Sequence, residues 1–269
     1  MEPPSLGIDA LLPPEIARRA EEAGVRKVAL DGPSTLLLAV LAGAFVALGA
    51  AFSTTVTAGS ALGTGPTRLL GGLSFSLGLI LILVVLAGAE LFTGNNLIVM
   101  AVANRQVTVA RLLRNWTIVY AGNFAGAVAT AAVVSWTGPA DGVAAQAVAI
   151  GAAKCRLGFL QAVALGVLCN ALVCLAVWLC LGARSSTDKI LSVLFPVTAF
   201  VACGYEHSVA NMYFIPLGIF LGNDPVLTWR TFLAANLLPV TIGNVIGGAG
   251  MVGLVYGFIY RRRPKQSLQ

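Results

Sequence analysis

Gly204-Tyr205-Glu206-His207-Ser208-Val209-Ala210-Asn211 carries the single histidine of this chain, with a glutamate beside it, inside an otherwise charge-free stretch from residue 190 to 223. Two adjacent ionisable groups in a stretch apolar enough to cross a bilayer are costly, and by default they mark a functional site. An earlier octapeptide, Gly88-Ala89-Glu90-Leu91-Phe92-Thr93-Gly94-Asn95, has the same frame: Gly, Glu two residues on, Asn five residues after the Glu. Further along, Gly122-Asn123-Phe124-Ala125-Gly126 matches Gly243-Asn244-Val245-Ile246-Gly247. The first pair is offset by 116 residues and the second by 121, so order and spacing are nearly kept. The chain therefore reads as an internal repeat.

Composition says where the repeat resides. Apolar residues make up 58% of the chain, charged residues 10%, and mean hydropathy is +0.88, whereas a soluble domain carries about 25% charged residues. Stretches long enough to span a bilayer run over residues 32–67, 69–89, 115–140, 157–183, 190–223 and 231–260. Residues 91–104 are an apolar continuation of the second. Six spans in two copies put three in each. An odd number makes the second copy enter from the opposite side, with a substrate site expected near the midplane between halves. The expected fold class is thus an all-α integral membrane protein: six transmembrane helices as two inverted three-helix repeats. The Glu-centred segments break the second and fifth helices. Broken backbone at that depth is tolerated where protein buries it or a wet cavity meets it. Asn123 and Asn244, mid-span in the third and sixth helices, suit the hydrogen-bond needs of such breaks.

The chain divides into a leader (residues 1–31), the spanning domain (32–260) and a basic tail (261–269). The leader is polar and lacks the apolar core of a signal peptide. Pro13-Pro14-Glu15 followed by Ile16, Ala20 and Ala23 predicts a short amphipathic helix on or near the membrane surface. With both ends inside, inner segments hold thirteen Lys and Arg against four outside, which places both termini in the cytoplasm. The net charge of +6 is then orientation chemistry and needs no nucleic-acid partner. The five cysteines lack metal-ligand spacing and read as small packing residues. No metal and no cofactor is expected.

An intramembrane enzyme would need a nucleophile–base pair or a ligand set, and one histidine with no aspartate in any span does not supply it. Paired Asn-Pro-Ala boxes of a water channel are also absent, since Asn95 and Asn211 precede Asn96 and Met212.

Longer motifs bring in a resemblance. Leu11-Leu12-Pro13-Pro14, Phe75-Ser76-Leu77-Gly78-Leu79-Ile80-Leu81, Glu90-Leu91-Phe92-Thr93, Cys169-Asn170-Ala171-Leu172-Val173-Cys174, Glu206-His207-Ser208-Val209-Ala210-Asn211-Met212 and Pro239-Val240-Thr241-Ile242-Gly243-Asn244 together resemble the formate/nitrite transporter family over nearly the whole chain. The resemblance implies an aquaporin-like fold and a homopentamer with one pathway per protomer, in the cell membrane of a bacterium or archaeon. It implies His207 as the central pore histidine, Thr93 as the threonine opposite, Lys154 as a vestibule lysine and Asn170 as a pore asparagine. Phe75, Leu79 and Phe200 correspond to an outer apolar constriction, and Leu91, Phe92 and Val173 to an inner one. The implied cargo is a small monovalent weak-acid anion, formate first, with nitrite or hydrosulfide as alternatives, and protons exchanged at His207. Asn244 and Glu206 are placed on the pathway as well. For Glu90 and Glu206 the favoured role is bracing the broken helices through backbone N–H groups.

Overall fold

A computed structural model describes residues 10–86, 88–222 and 224–261. The basic tail beyond residue 261 and the first nine residues of the leader lie outside the described residues. Ten helical elements follow in order: α1 (Pro13–Ala29), α2 (Gly32–Thr57), α3 (Thr64–Val85), α4 (Gly94–Ala103) and α5 (Val109–Trp136), then α6 (Asp141–Cys155), α7 (Phe159–Gly182), α8 (Ser186–Ala202), α9 (Ser208–Leu221) and α10 (Thr231–Tyr260). Five of them (α2, α3, α5, α7 and α10) are long and apolar enough to cross a bilayer, and α4 and α9 are shorter apolar pieces. The second and fifth spans are therefore each two pieces, α3 with α4 and α8 with α9.

Each break follows from local chemistry. Gly88 and Gly204 both adopt positive φ (142° and 74°), where a side chain would be strained. The chain then turns back toward the centre before α4 or α9 begins. Start signals are as ordinary chemistry requires: Asp31 caps α2 by accepting from Ser34 N–H (2.9 Å), and Ser185 and Asp188 form a capping box on α8.

Two structural features differ from the sequence reading. Residues 141–155 form a helix, α6, which packs along α9 and carries Lys154 in its last turn. The leader helix α1 does not lie free on a surface. Its small and apolar face (Ile16, Ala17, Ala20) packs on Met100 and Trp178, Gly24 rests on Ile98, and buried Glu21 accepts from Asn104 and Gln106 side chains. With α6 included, each repeat holds five elements, α1–α5 and α6–α10.

The two long-helix pairs are drawn together in the same way. A Cβ on Gly126 would overlap the carbonyl oxygen of Val40 (α5 on α2), and a Cβ on Gly247 that of Val167 (α10 on α7). Backbones that touch this closely leave room for glycine alone.

Candidate functional site

The N-termini of the two half-helices meet. Thr93, the residue before α4, has its Oγ1 3.0 Å from Nε2 of His207, the residue before α9. His207 is 1% exposed and Thr93 is fully buried. The histidine also caps its own helix, because Ala210 N–H donates to Nδ1 (3.0 Å). A ring nitrogen that accepts carries no proton, so the neutral ring is the Nε2–H tautomer and that proton is directed at Thr93 Oγ1. The Thr93 hydroxyl proton is then available for a third group. Both helix N-termini present their positive ends to this point, which favours an anion.

Asn123 and Asn244 supply the backbone groups freed by the breaks. Asn123 Oδ1 accepts from Phe92 N–H (2.9 Å), while its Nδ2 donates to the carbonyls of Ala39 (2.8 Å) and Glu90 (2.9 Å). Asn244 Oδ1 accepts from Ser208 N–H (2.8 Å), and its Nδ2 donates to Gly166 (2.8 Å) and Glu206 (2.9 Å) carbonyls. With its amide fully engaged by backbone, Asn244 holds the path in place. Asn170 stands nearer the centre: its Nδ2 donates to the carbonyls of Asn244 (2.7 Å) and Thr93 (3.3 Å) and to Asn96 Oδ1 (3.1 Å). Its Oδ1 is buried and has no hydrogen-bond partner among the described residues.

Among the described residues, the two glutamate carboxylates accept from side chains and not from backbone N–H groups. Glu206 accepts from Lys154 Nζ (2.7 Å), Asn211 Nδ2 (2.6 Å) and Asn236 Nδ2 (3.3 Å). Glu90 accepts from Lys27 Nζ (3.1 Å), Asn115 Nδ2 (3.1 Å) and Asn95 Nδ2. Each buried carboxyl group thus has a lysine and two amides as hydrogen-bond donors, which offset the cost of burying it. Lys154 also lies 5.5 Å from the Phe214 ring centroid. Burial lowers the pKa of the Lys27 ammonium, with Glu90 acting against that shift. Sequence reasoning passed over Lys27, Asn115 and Asn236. The signal was present: Lys27 and Lys154 are 127 residues apart, and Asn115 and Asn236 are 121 apart, the same offset as Asn123 and Asn244.

Apolar residues flank the centre. Phe200 stacks on His207 (5.8 Å between centroids, 15° between planes), and Phe75 meets Phe200 edge-on at 5.7 Å. Leu79 is fully buried in the same core, as is Val173. On the α1 side, Leu91 lines a cavity of about 430 Å³ between the leader and the broken second span. Phe92 turns its ring to α5, edge-on to Trp116 (5.8 Å) and Tyr120 (4.9 Å).

A polar pair at the meeting of two helix ends, between apolar side chains and inside a bilayer-spanning bundle, suits passage of a solute. Known proteins agree with that reading. The family model described as formate/nitrite transporter matches residues 14–258. The Escherichia coli K12 formate channel FocA is 42% identical, covering 94% of this chain and 96% of its own length. A solved pentameric formate channel with formate bound superposes with a TM-score of 0.78 at 40% identity, over 86% of this chain and 98% of that one. A solved FNT family ion channel reaches 0.83 at 29% identity, over 93% and 99%. The likeness extends along nearly the full length of every chain compared, and this chain belongs to the formate/nitrite transporter family, whose members are transporters and channels and not enzymes.

Proposed function

We propose that the protein conducts small monovalent weak-acid anions, formate above all, with proton exchange at His207. The observation that carries this reading is the Thr93–His207 bond at the junction of two helix N-termini, walled by apolar side chains. A bare anion pays heavily to leave water for an apolar ring, and its neutral acid pays far less. The helix ends draw the anion in, and the pair supplies the proton.

The resting tautomer sets how. Its one ring proton is on Nε2 and faces Thr93. Net donation requires a second proton on the ring, taken at Nδ1, which displaces the Ala210 N–H. The imidazolium then passes its Nε2 proton to Thr93 Oγ1 as the threonine's own proton moves to the carboxylate. Neutral acid, intact threonine and the Nδ1–H tautomer of histidine result; loss of that proton to water and uptake of another at Nε2 restore the resting ring and its bond from Ala210 N–H. Asn170 Oδ1, a buried acceptor with no partner among the described residues, is fitted to receive the acid O–H. Lys154 offers its remaining N–H groups to anions arriving on the α6 side, and Lys27 does so on the α1 side.

The named relatives, a formate channel and a pentameric formate channel with formate bound, support formate as cargo and a pentamer as the assembly. The excess of thirteen Lys and Arg over four supports a cytoplasmic α1 face with both termini inside, in a bacterial or archaeal cell membrane. Nitrite and hydrosulfide fit the same chemistry as alternatives.

The deciding experiment is uptake of formate, nitrite and hydrosulfide into proteoliposomes from external pH 5 to 8, for wild type and His207→Asn. Formate uptake should rise as pH falls in the wild type, and the variant should lose that dependence. Identical uptake by both proteins at every pH would remove His207 from the mechanism. Faster nitrite or hydrosulfide uptake would reassign the cargo.

A further inference from the structure

The cavity beneath Leu91 is larger, and differently charged, than passage of a one-carbon anion requires. At about 430 Å³ it falls within the range of small-molecule sites, about 300–1,000 Å³. Three cations line it, Arg26, Lys27 and Lys189, and no carboxylate does. Lys27 is compensated by Glu90 at 3.1 Å. Arg26 and Lys189 have no ion-pair partner among the described residues. Two uncompensated cations therefore stand at one mouth of the path. Most of the remaining wall is apolar, with Leu30, Leu83 and Val177 among it.

The α6 side is built otherwise. Lys154 is paired with Glu206 at 2.7 Å and Arg156 with Asp224 at 2.6 Å, so both nearby cations are already neutralised. Among the cations that line this cavity and those beside Glu206, only Arg26 and Lys189 lack an ion-pair partner among the described residues.

We infer that this cavity is a binding site for short dicarboxylates, which occupy it from the α1 face and obstruct the path without crossing it. Two carboxylates match the two uncompensated cations, and the methylenes between them match the apolar wall. The same dianion cannot proceed. Leu91 and the core beyond it would have to accept two charges out of water, at a cost that rises steeply with charge. A monocarboxylate of similar length satisfies one cation only and holds less well.

This inference rests on the proposed transport reading for its functional consequence, though not for binding itself. Its test is formate flux in proteoliposomes with succinate either enclosed or outside, protein orientation being assigned from a tag at the N-terminus. Propionate serves as the monoanionic control. Succinate on the α1 face should slow flux, while on the other face it should not, and propionate should be weaker. Lys189→Gln and Arg26→Gln should each raise the half-inhibitory concentration about tenfold or more, the loss of one charge-assisted contact. Equal inhibition from both faces, no inhibition, or variants that inhibit like wild type would overturn it. Should formate flux itself be absent, calorimetric titration of succinate into the solubilised protein decides separately. Binding that weakens in Lys189→Gln supports the site, and no binding to wild type refutes it.

Discussion

The two halves of the molecule solve one structural problem identically and then diverge. In the first, Lys27, Asn95 and Asn115 surround Glu90; in the second, Lys154, Asn211 and Asn236 surround Glu206. Asn123 and Asn244 each hold one backbone N–H and two carbonyls, with paired distances agreeing to 0.1 Å (2.9 and 2.8 Å to the N–H, 2.8 and 2.8 Å and 2.9 and 2.9 Å to the carbonyls). At the centre the match ends. At the 116-residue offset, His207 falls where the first half has Leu91, Ser208 where it has Phe92, and Val209 where it has Thr93; at the 127-residue offset, Asn170 falls where it has Gly43. The frame is duplicated because each broken helix exposes the same backbone groups inside a bilayer. The chemistry is single because its bond, Thr93 to His207, runs between the repeats.

Making the halves alike at the centre should have the largest effect. His207→Leu copies the first repeat into the second and should cut formate flux at neutral pH by about 10²-fold or more, the usual size of a proton-transfer contribution. Stopped-flow uptake in proteoliposomes measures it. Next come the lysines. Lys27→Met and Lys154→Met each leave a buried carboxylate without its cation, and each should cost about 3–5 kcal/mol in thermal or denaturant stability of the solubilised assembly. Adding Glu206→Gln to Lys154→Met should restore stability but not flux, because the charge facing the path stays absent. Asn123→Ala and Asn244→Ala should follow at about 2–4 kcal/mol, from several buried backbone groups left unpaired. Their near-equality is the point: a much larger effect of Asn244→Ala would show that its amide does more than hold backbone. The smallest effect belongs to Arg156→Ala. Its pair with Asp224 is largely in solvent (57% and 21% side-chain exposure), and exposed pairs contribute little, so melting should be indistinguishable from wild type.

Much of this was legible in the chain. The six spans, the inverted repeat and the breaks in the two Glu-centred segments follow from charge-free runs and one octapeptide written twice. The backbone role of Asn123 and Asn244 follows from an amide at mid-span. The missed features share a cause. Helix α6 lacks the length and uniform apolarity of a span, and its use depends on packing against α9. Lys27 sits in a polar leader, where a lysine is unremarkable until α1 folds back and delivers it to Glu90. The direction of the Phe92 ring was equally hidden, since only its contacts with the rings of Trp116 and Tyr120 show which way it turns.

By itself, then, the sequence determined the solvent, the number of crossings, the duplication and the position of the one histidine, because hydrophobicity, charge and spacing along the chain are local properties. The tertiary structure alone decided the partners: which side chain meets Nε2 of His207, which lysine pairs with which glutamate, and where cations are left without an ion pair. Those depend on groups 52 to 114 residues apart, such as Lys154 with Glu206 or Thr93 with His207, and no local pattern records how the chain brings them together.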